Sequence, residues 1–392
     1  MMNNLVTEIA YLSVNHFGEE LCGDNVQIVE SMDGSKVIVL SDGLGSGVKA
    51  NILSILTSKM LSTMIANNIS IKECVQAVIE TLPICKERHV AYSTFSIVKI
   101  SNSEDVEIYN YDNPLPFYIS GKKVGKIDYQ EEVISNKKIY HAKFQLSVGD
   151  SLFLLSDGII HAGIGASLNF GWSIEEVEDY MASLYNPDSY SAKSLSTVLL
   201  EHVERLYNFK PGDDATVATI KIRKRQMSNI FIGPPTNRND DNKMVHLFMA
   251  KAGKHIVCGG TTSKIFAKCL DKEIIFDGVY LDKEIPPTSI IEGIDVVSEG
   301  VITLKKVLSY AKNLLEEKNS DYFDWCYKED GASQIARILF EESTDINIFV
   351  GCAANSAHQE EDEIAIDVKL SMVNKLKEYL EKMSKKVTIT YF

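Results

Sequence analysis

The chain has 392 residues, 45% hydrophobic and 24% charged, with a formal net charge of -14. That length suits two or three domains, and the composition is that of an ordinary globular protein. The acidic balance argues against a nucleic-acid or anionic-membrane partner, because both need a concentrated basic surface, but it suits divalent cations.

In chain order, alternating patterns over 9–14, 26–29 and 36–40 predict short strands separated by turns. From 48 to 66 the apolar residues fall three and four apart, which predicts a helix, and a second helix is expected over 71–82. Strands return at 94–100, 106–111, 117–119, 140–146 and 151–155. Helices over 174–184 and 192–207 precede a last strand at 215–222. Strands and helices thus come in blocks, so the expected fold class is α+β, with two packed antiparallel sheets flanked by helices.

The basic, polar stretch KIRKRQMSN then marks an expected boundary near residue 226, giving domains 1–225 and 226–392. Beyond it, short apolar runs at 229–232, 255–258, 273–276, 295–297 and 346–350 alternate with helical patterns near 240–250, 262–270, 302–317, 330–342 and 362–384. That alternation predicts a separate α/β domain with a mixed or partly parallel sheet.

Seven cysteines, Cys22, Cys74, Cys85, Cys258, Cys269, Cys326 and Cys352, form no C-x-x-C pair. Reduced thiols in a cytoplasmic protein are the expectation, not a zinc ribbon or a disulfide framework. The N-terminus lacks the apolar run of a signal peptide, and no stretch of about eighteen apolar residues predicts a membrane span.

Four short motifs place aspartate at a strand end beside glycine or another turn residue. They are CGDN (Asp24), SDGLGSG (Asp42, Gly43), LLSDGII (Asp157, Gly158) and PGDDATV (Asp213, Asp214). Hard divalent cations take oxygen ligands, chiefly carboxylates, carbonyls and water. Strand ends of opposed sheets can bring distant carboxylates together, and a glycine leaves the backbone carbonyl free to turn toward an ion. A single D-G is most often just a turn, and Asp42 also suits a helix cap. Four in this order are harder to assign to turn chemistry.

As a series, these motifs resemble the metal-dependent protein serine/threonine phosphatases of the PPM family, in their bacterial SpoIIE-like branch, over about residues 5–223. AYSTFSIVKI and YDNPLPFYISGKKV, the latter like that branch's N-x-P-P strand turn, fit the same resemblance. It implies that Asp42 bridges two divalent metal ions, Mn²⁺ or Mg²⁺, with Gly43 offering its carbonyl to one. Asp157 and Asp213 would ligate the other, and Asp24 would stand on the second-metal and phosphate side. Asp42 and Asp24 are therefore the expected catalytic residues, and Asp214 is expected to sit behind the ligands. A water activated between the ions would attack phosphorus.

Two features depart from the wider family. Leu44 stands where histidine is common, and HFGEELCGDN offers no arginine to clamp phosphate. His161 is a candidate acid, although a lone histidine is more often a packing or surface residue.

In the second domain, HIVCGGTTSKIFAKCL reads as a strand, a Gly259-Gly260-Thr261-Thr262 loop and a helix. The bland reading is a tight turn with a threonine N-cap. The sharper one is a binding site for a small anionic ligand at a helix start, though the loop is neither G-x-x-x-x-G-K-[ST] nor G-x-G-x-x-G. Asn355 and His358 follow the run 346–350 and are candidate ligand contacts or a polar loop.

The function expected from all of this is a cytoplasmic, metal-dependent protein serine/threonine phosphatase, acting on phosphoserine or phosphothreonine of a bacterial signalling protein. The second domain would regulate it or bind a ligand. Its partners would be a phosphorylated protein substrate and a small anion, with a homodimer left open and neither nucleic acid nor membrane expected. The competing expectation is a non-catalytic sensor or scaffold that keeps the phosphatase fold and is controlled through its C-terminal domain.

Overall fold

The structure is a computed structural model that describes residues 4–81, 93–101, 104–187, 189–276, 285–315, 322–353 and 359–392. The chain divides into two compact units, Met1–Lys224 and Arg225–Phe392.

The first unit begins with strands β1 (Leu5–Val14), β2 (Asp24–Glu30) and β3 (Lys36–Gly43), then helices α1 (Gly47–Ala66) and α2 (Ile71–Thr81). Seven strands follow: β4 (Ser93–Ser101), β5 (Asp105–Tyr111), β6 (Phe117–Ser120), β7 (Lys123–Gly125), β8 (Gln130–Ile134), β9 (Lys137–Gln145) and β10 (Ser151–Leu155). Helices α3 (Asp157–Ile160), α4 (Ile174–Leu184) and α5 (Ala192–Leu206) lead to β11 (Ala215–Lys224). The strands form two antiparallel sheets, ordered β1-β11-β10-β6-β7 and β2-β3-β4-β5-β9-β8.

Side chains alternate across each strand, so every central strand feeds two cores. Ile38 and Leu40 of β3 pack with Val98, Leu152, Leu154, Ala218 and Ile220 between the sheets. Val37 and Val39 of the same strand instead face α1 and α2, through Leu61, Ile65, Val75 and Val78. On the other side, Phe153, Leu155 and Val217 pack against α4 and α5 through Val177, Met181, Leu199 and Val203. The result is a layered α+β unit.

The second unit contains β12 (Met227–Ile232), α6 (Asp241–Met249), β13 (Lys254–Cys258), α7 (Gly260–Leu270), β14 (Ile275–Phe276), β15 (Ser289–Ile290) and β16 (Val296–Ser298). Then come α8 (Val301–Leu315), α9 (Tyr322–Cys326), α10 (Gly331–Ala336), β17 (Asp345–Val350), α11 (Gln359–Lys382) and β18 (Lys386–Tyr391). Its sheet runs β14-β15-β16-β13-β12-β17-β18. The five strands from β16 to β18 pair in parallel and the β14 and β15 edge is antiparallel, so the sheet is mixed. Phe231, Phe248, Phe266 and Phe349 fill its core.

The sequence patterns find the long elements and miss β7, β8, α3, β15, α9 and β18. The strand expected over 273–276 shrinks to two residues, and the helix expected over 330–342 is α10 followed by a π-helical turn, Arg337–Glu342. Among the described residues no helix is long and apolar enough to cross a membrane. The described cysteines are all free thiols.

Candidate metal centre and a second cavity

Strand alternation carries the carboxylates to one end of the inter-sheet core. Asp24 and Asp42 are directly opposed in the β2–β3 ladder, and each lies an even number of residues from Val26 and Leu40 on the inter-sheet face. In the other sheet, β10 ends at Leu155 and β11 begins at Ala215, paired as neighbours. The residues just outside them, Asp157 and Asp213, are therefore brought together with Asp214. One ligand atom each from Asp157, Asp213 and His161 lies within 4.8 Å of the others, and His161 Nδ1 stands 3.9 Å from Asp157 Oδ2.

Asp24 is buried, and neither of its carboxylate oxygens has a hydrogen-bond partner. Burial raises its pKa from 3.8 to about 8; the nearby Ser156 and Thr216 hydroxyls oppose that rise, while Asp214 and Asp157 add to it. Asp42 is raised well above the ordinary carboxylate value by burial, then by the charges of Asp24, Asp157 and Asp213. Burial raises Asp213 too, with Asp157 as the next cause. Asp214 accepts from His16 N (2.9 Å) through Oδ1, while its buried Oδ2 is unpartnered. No lysine or arginine among the described residues pairs with these five carboxylates. Crowded, desolvated negative charge of this kind calls for a cation.

The glycines of the motifs have a steric cause. A β-carbon at Gly43 would lie 2.1 Å from the Ala50 carbonyl oxygen of α1, and one at Gly158 would lie 2.1 Å from that of Asp214. Carbonyl freedom toward an ion, the reason read from the sequence, is thus not needed to explain them. Nor does Asp42 cap α1, since Ser46 occupies the N-cap position.

Sequence reasoning passed over the polar groups beneath the site. Ser93 Oγ donates to the Asp42 carbonyl (2.8 Å) and lies 2.6 Å from Ser41 Oγ. Asn113 Nδ2 donates to Ser96 Oγ (3.1 Å), and Thr94 Oγ1 donates to Asn113 Oδ1. Ser156 Oγ accepts from Thr216 N (2.8 Å), tying the two strands that hold Asp157 and Asp213. The available signal was the serine before each D-G: Ser41 and Ser156 are both fully buried.

Residues 32–223 match the family model of stage II sporulation protein E (SpoIIE). Over that stretch, just under half of its length, the chain is similar to the SpoIIE family. The first unit's two antiparallel sheets flanked by helices are the α+β arrangement expected from the sequence. The phosphatase domain of the cell fate determinant SpoIIE from Bacillus subtilis is 22% identical, covering 56% of this chain and 94% of that one at a TM-score of 0.45. The PP2C phosphatase domain of the same protein with a fragment of its regulatory domain is 21% identical (57% and 64% covered, TM-score 0.49). The RsbU and RsbW domains of a Mycobacterium tuberculosis protein are 17% identical (63% and 71% covered, TM-score 0.46). No curated protein matches the chain.

In the second unit, Gly259, Gly260, Thr261 and Thr262 line a cavity of about 280 Å³. The threonine cap read from the sequence is not what the structure has. Helix α7 starts at Gly260, with Gly259 (φ 121°) at the N-cap and no side chain capping it. Thr262 lies inside the helix, fully buried, and its Oγ1 has no partner. Glu299 and Lys369, neither singled out from the sequence, complete the polar lining. Asn355 and His358 lie outside the described residues.

Proposed function

We propose that the first unit is a metal-dependent phosphatase acting on phosphoserine or phosphothreonine of a signalling protein. One observation carries this reading: Asp24, Asp42, Asp157 and Asp213 crowd at one end of the sheet sandwich, where Asp24 has two buried, unpartnered oxygens and no lysine or arginine among the described residues pairs with any of the four. A donor set dominated by carboxylate oxygens at this charge density fits Mn²⁺ or Mg²⁺. Asp42, Asp157 and Asp213 would hold the ions, with the Gly43 carbonyl as a further donor and Asp24 beside them. The ions, when bound, supply Lewis acidity: they lower the pKa of water and neutralise phosphoryl charge.

The chain's own residues do the positioning. Asp42, next to its ladder partner Asp24, fixes the side of the site formed by one sheet, and Asp157 with Asp213 fixes the side formed by the other. Ser93 and Ser156 hold those strand ends in register from behind. His161, exposed beside Asp157, is placed to add an imidazole to the metal set or to give a proton to the leaving alkoxide. The second unit, over 226–392, is proposed to be a ligand-binding regulator of the first, 1–225.

The test is hydrolysis of a phosphoserine peptide and of p-nitrophenyl phosphate by purified protein. Turnover is expected with Mn²⁺ or Mg²⁺ and none in excess chelator. Full activity in chelator, or none with either metal, rejects the reading.

A further inference from the structure

The cavity of the second unit lies at the C-terminal ends of β12, β13, β16 and β17. From β12 the chain builds β13 and β16 on one side and then crosses to β17 and β18 on the other. Such a reversal opens a crevice above the sheet, and open parallel sheets take ligands there.

Four groups in this crevice bear on what would occupy it. The first intrahelical bond of α7 runs from Ser263 N to Gly259 O, so the N–H groups of Gly260, Thr261 and Thr262 precede it and carry the positive end of an eleven-residue helix. Thr262 is one of the lining residues, and its hydroxyl is wholly buried and lacks a partner. A helical threonine ordinarily returns its hydroxyl to a carbonyl one turn back; Thr262 does not. Lys369 of α11 reaches the wall and donates to the Gly351 carbonyl, and burial holds its pKa below the ordinary lysine value. Opposite in sign, the Glu299 carboxylate stands 3.5 Å from where a β-carbon of Gly260 would be.

The rest of the wall is apolar, with Ile232, Val301, Leu304 and Met372 among its residues, and none of the described lining residues is aromatic. A bare phosphate would face the Glu299 charge with nothing to answer it. A nucleotide would find no ring on which to stack its base.

We propose that this cavity binds a small zwitterion of the α-amino-acid class. Its carboxylate would take the α7 N–H groups, the Thr262 hydroxyl and Lys369. Its ammonium would meet Glu299, and an apolar side chain would lie against Val301 and Leu304. The proposal rests on the reading of this unit as ligand-binding, but not on the phosphatase reading of the other.

Calorimetric titration of the full chain in chelator, with leucine, isoleucine, valine and methionine, tests it. The comparison probes are 4-methylpentanoate, inorganic phosphate and a nucleoside monophosphate. At least one of the amino acids is expected to bind saturably, with 4-methylpentanoate at least tenfold weaker. Glu299→Gln should weaken the amino acid at least tenfold and leave the thermal midpoint of the ligand-free protein unchanged. Thr262→Val should weaken it, and Thr262→Ser should restore it. Absence of amino-acid binding, tighter binding of phosphate or nucleotide, or an affinity untouched by Glu299→Gln overturns the proposal. Phosphatase assays on the same samples separate the two readings: failed binding with normal turnover removes only this one, and absent turnover with intact binding removes only the other.

Discussion

Single side chains decide the chemistry, and Asp42 is the one on which most of it converges. Its carboxyl feels three other carboxylates as well as its own burial. Asp42→Asn takes its own charge out of that cluster, so two opposite effects are expected. Turnover should fall by at least about 100-fold, the upper end of losses for groups supporting a metal site, while the metal-free protein should melt at a higher temperature. Near-normal rates with an intact fold would remove Asp42 from the metal set. The pH dependence has a definite sign. With Asp24 raised from 3.8 to about 8, the metal-free folded state binds protons more readily than the unfolded chain. The contribution of Asp24 to stability is then greatest below about pH 4 and is lost as pH rises through 8. Thermal melts in chelator should therefore climb as pH falls from 8 to 5, and Mn²⁺ should flatten the slope; a flat profile in chelator would contradict the charge crowding. The aspartates were legible because each stands at the end of an apolar alternation, where a carboxylate has no packing reason to be. Ser41, Ser93 and Ser156 were not, since a buried serine and a solvated one look alike in sequence.

At the level of elements, the site depends on how closely α1 and the β10–β11 edge approach the motif backbones. Gly43 is the clearest case, because an added methyl would sit 2.1 Å from the Ala50 carbonyl oxygen and 2.9 Å from its Cα. Both of these atoms are backbone, so neither can swing aside. Gly43→Ala is expected to cost about 1–3 kcal/mol, the usual range for overpacking. Because the strain falls one residue from Asp42, it should weaken Mn²⁺ binding as well. Urea unfolding and metal titration of the variant check both, and unchanged stability with unchanged metal affinity would refute the close-packing argument. This level also shows where sequence patterns run out. Strands such as β3 and β10 announce themselves because both faces are buried. By contrast β7 and β8 are short, largely exposed edge pieces whose pairing comes from β6 and β9, not from their own residues. Strand β18 does alternate, but it follows α11 with only a brief turn and is easily absorbed into that helix. At Gly259-Gly260 the helix starts two residues earlier than the apolar period suggested, since glycines carry no signal of periodicity.

For the whole molecule the question is whether the two units work separately. All four aspartate motifs lie in 1–225, and the described residues of that stretch contain three apolar cores of their own. The fragment 1–225 should therefore fold and keep some metal-dependent activity. Helix α1 is the element through which that activity would be tuned. Val48, Ile52, Ile55 and Leu56 form an exposed apolar stripe at helical spacing, while Ala50 on its buried side abuts Gly43. A partner that covered the stripe would act on a rigid rod in contact with the residue next to Asp42. A shift in α1 would thus change how readily Asp42 and Asp24 meet Asp157 and Asp213, by an amount of order 1–3 kcal/mol, the usual scale of coupling between sites. Such a coupling would appear as a five- to 150-fold difference in apparent Mn²⁺ affinity between fragment and whole chain. Rates of both proteins, measured across a range of Mn²⁺ concentrations, give that ratio directly. Identical curves would make the second unit an independent module, and a fragment that fails to fold would place the division of the chain elsewhere.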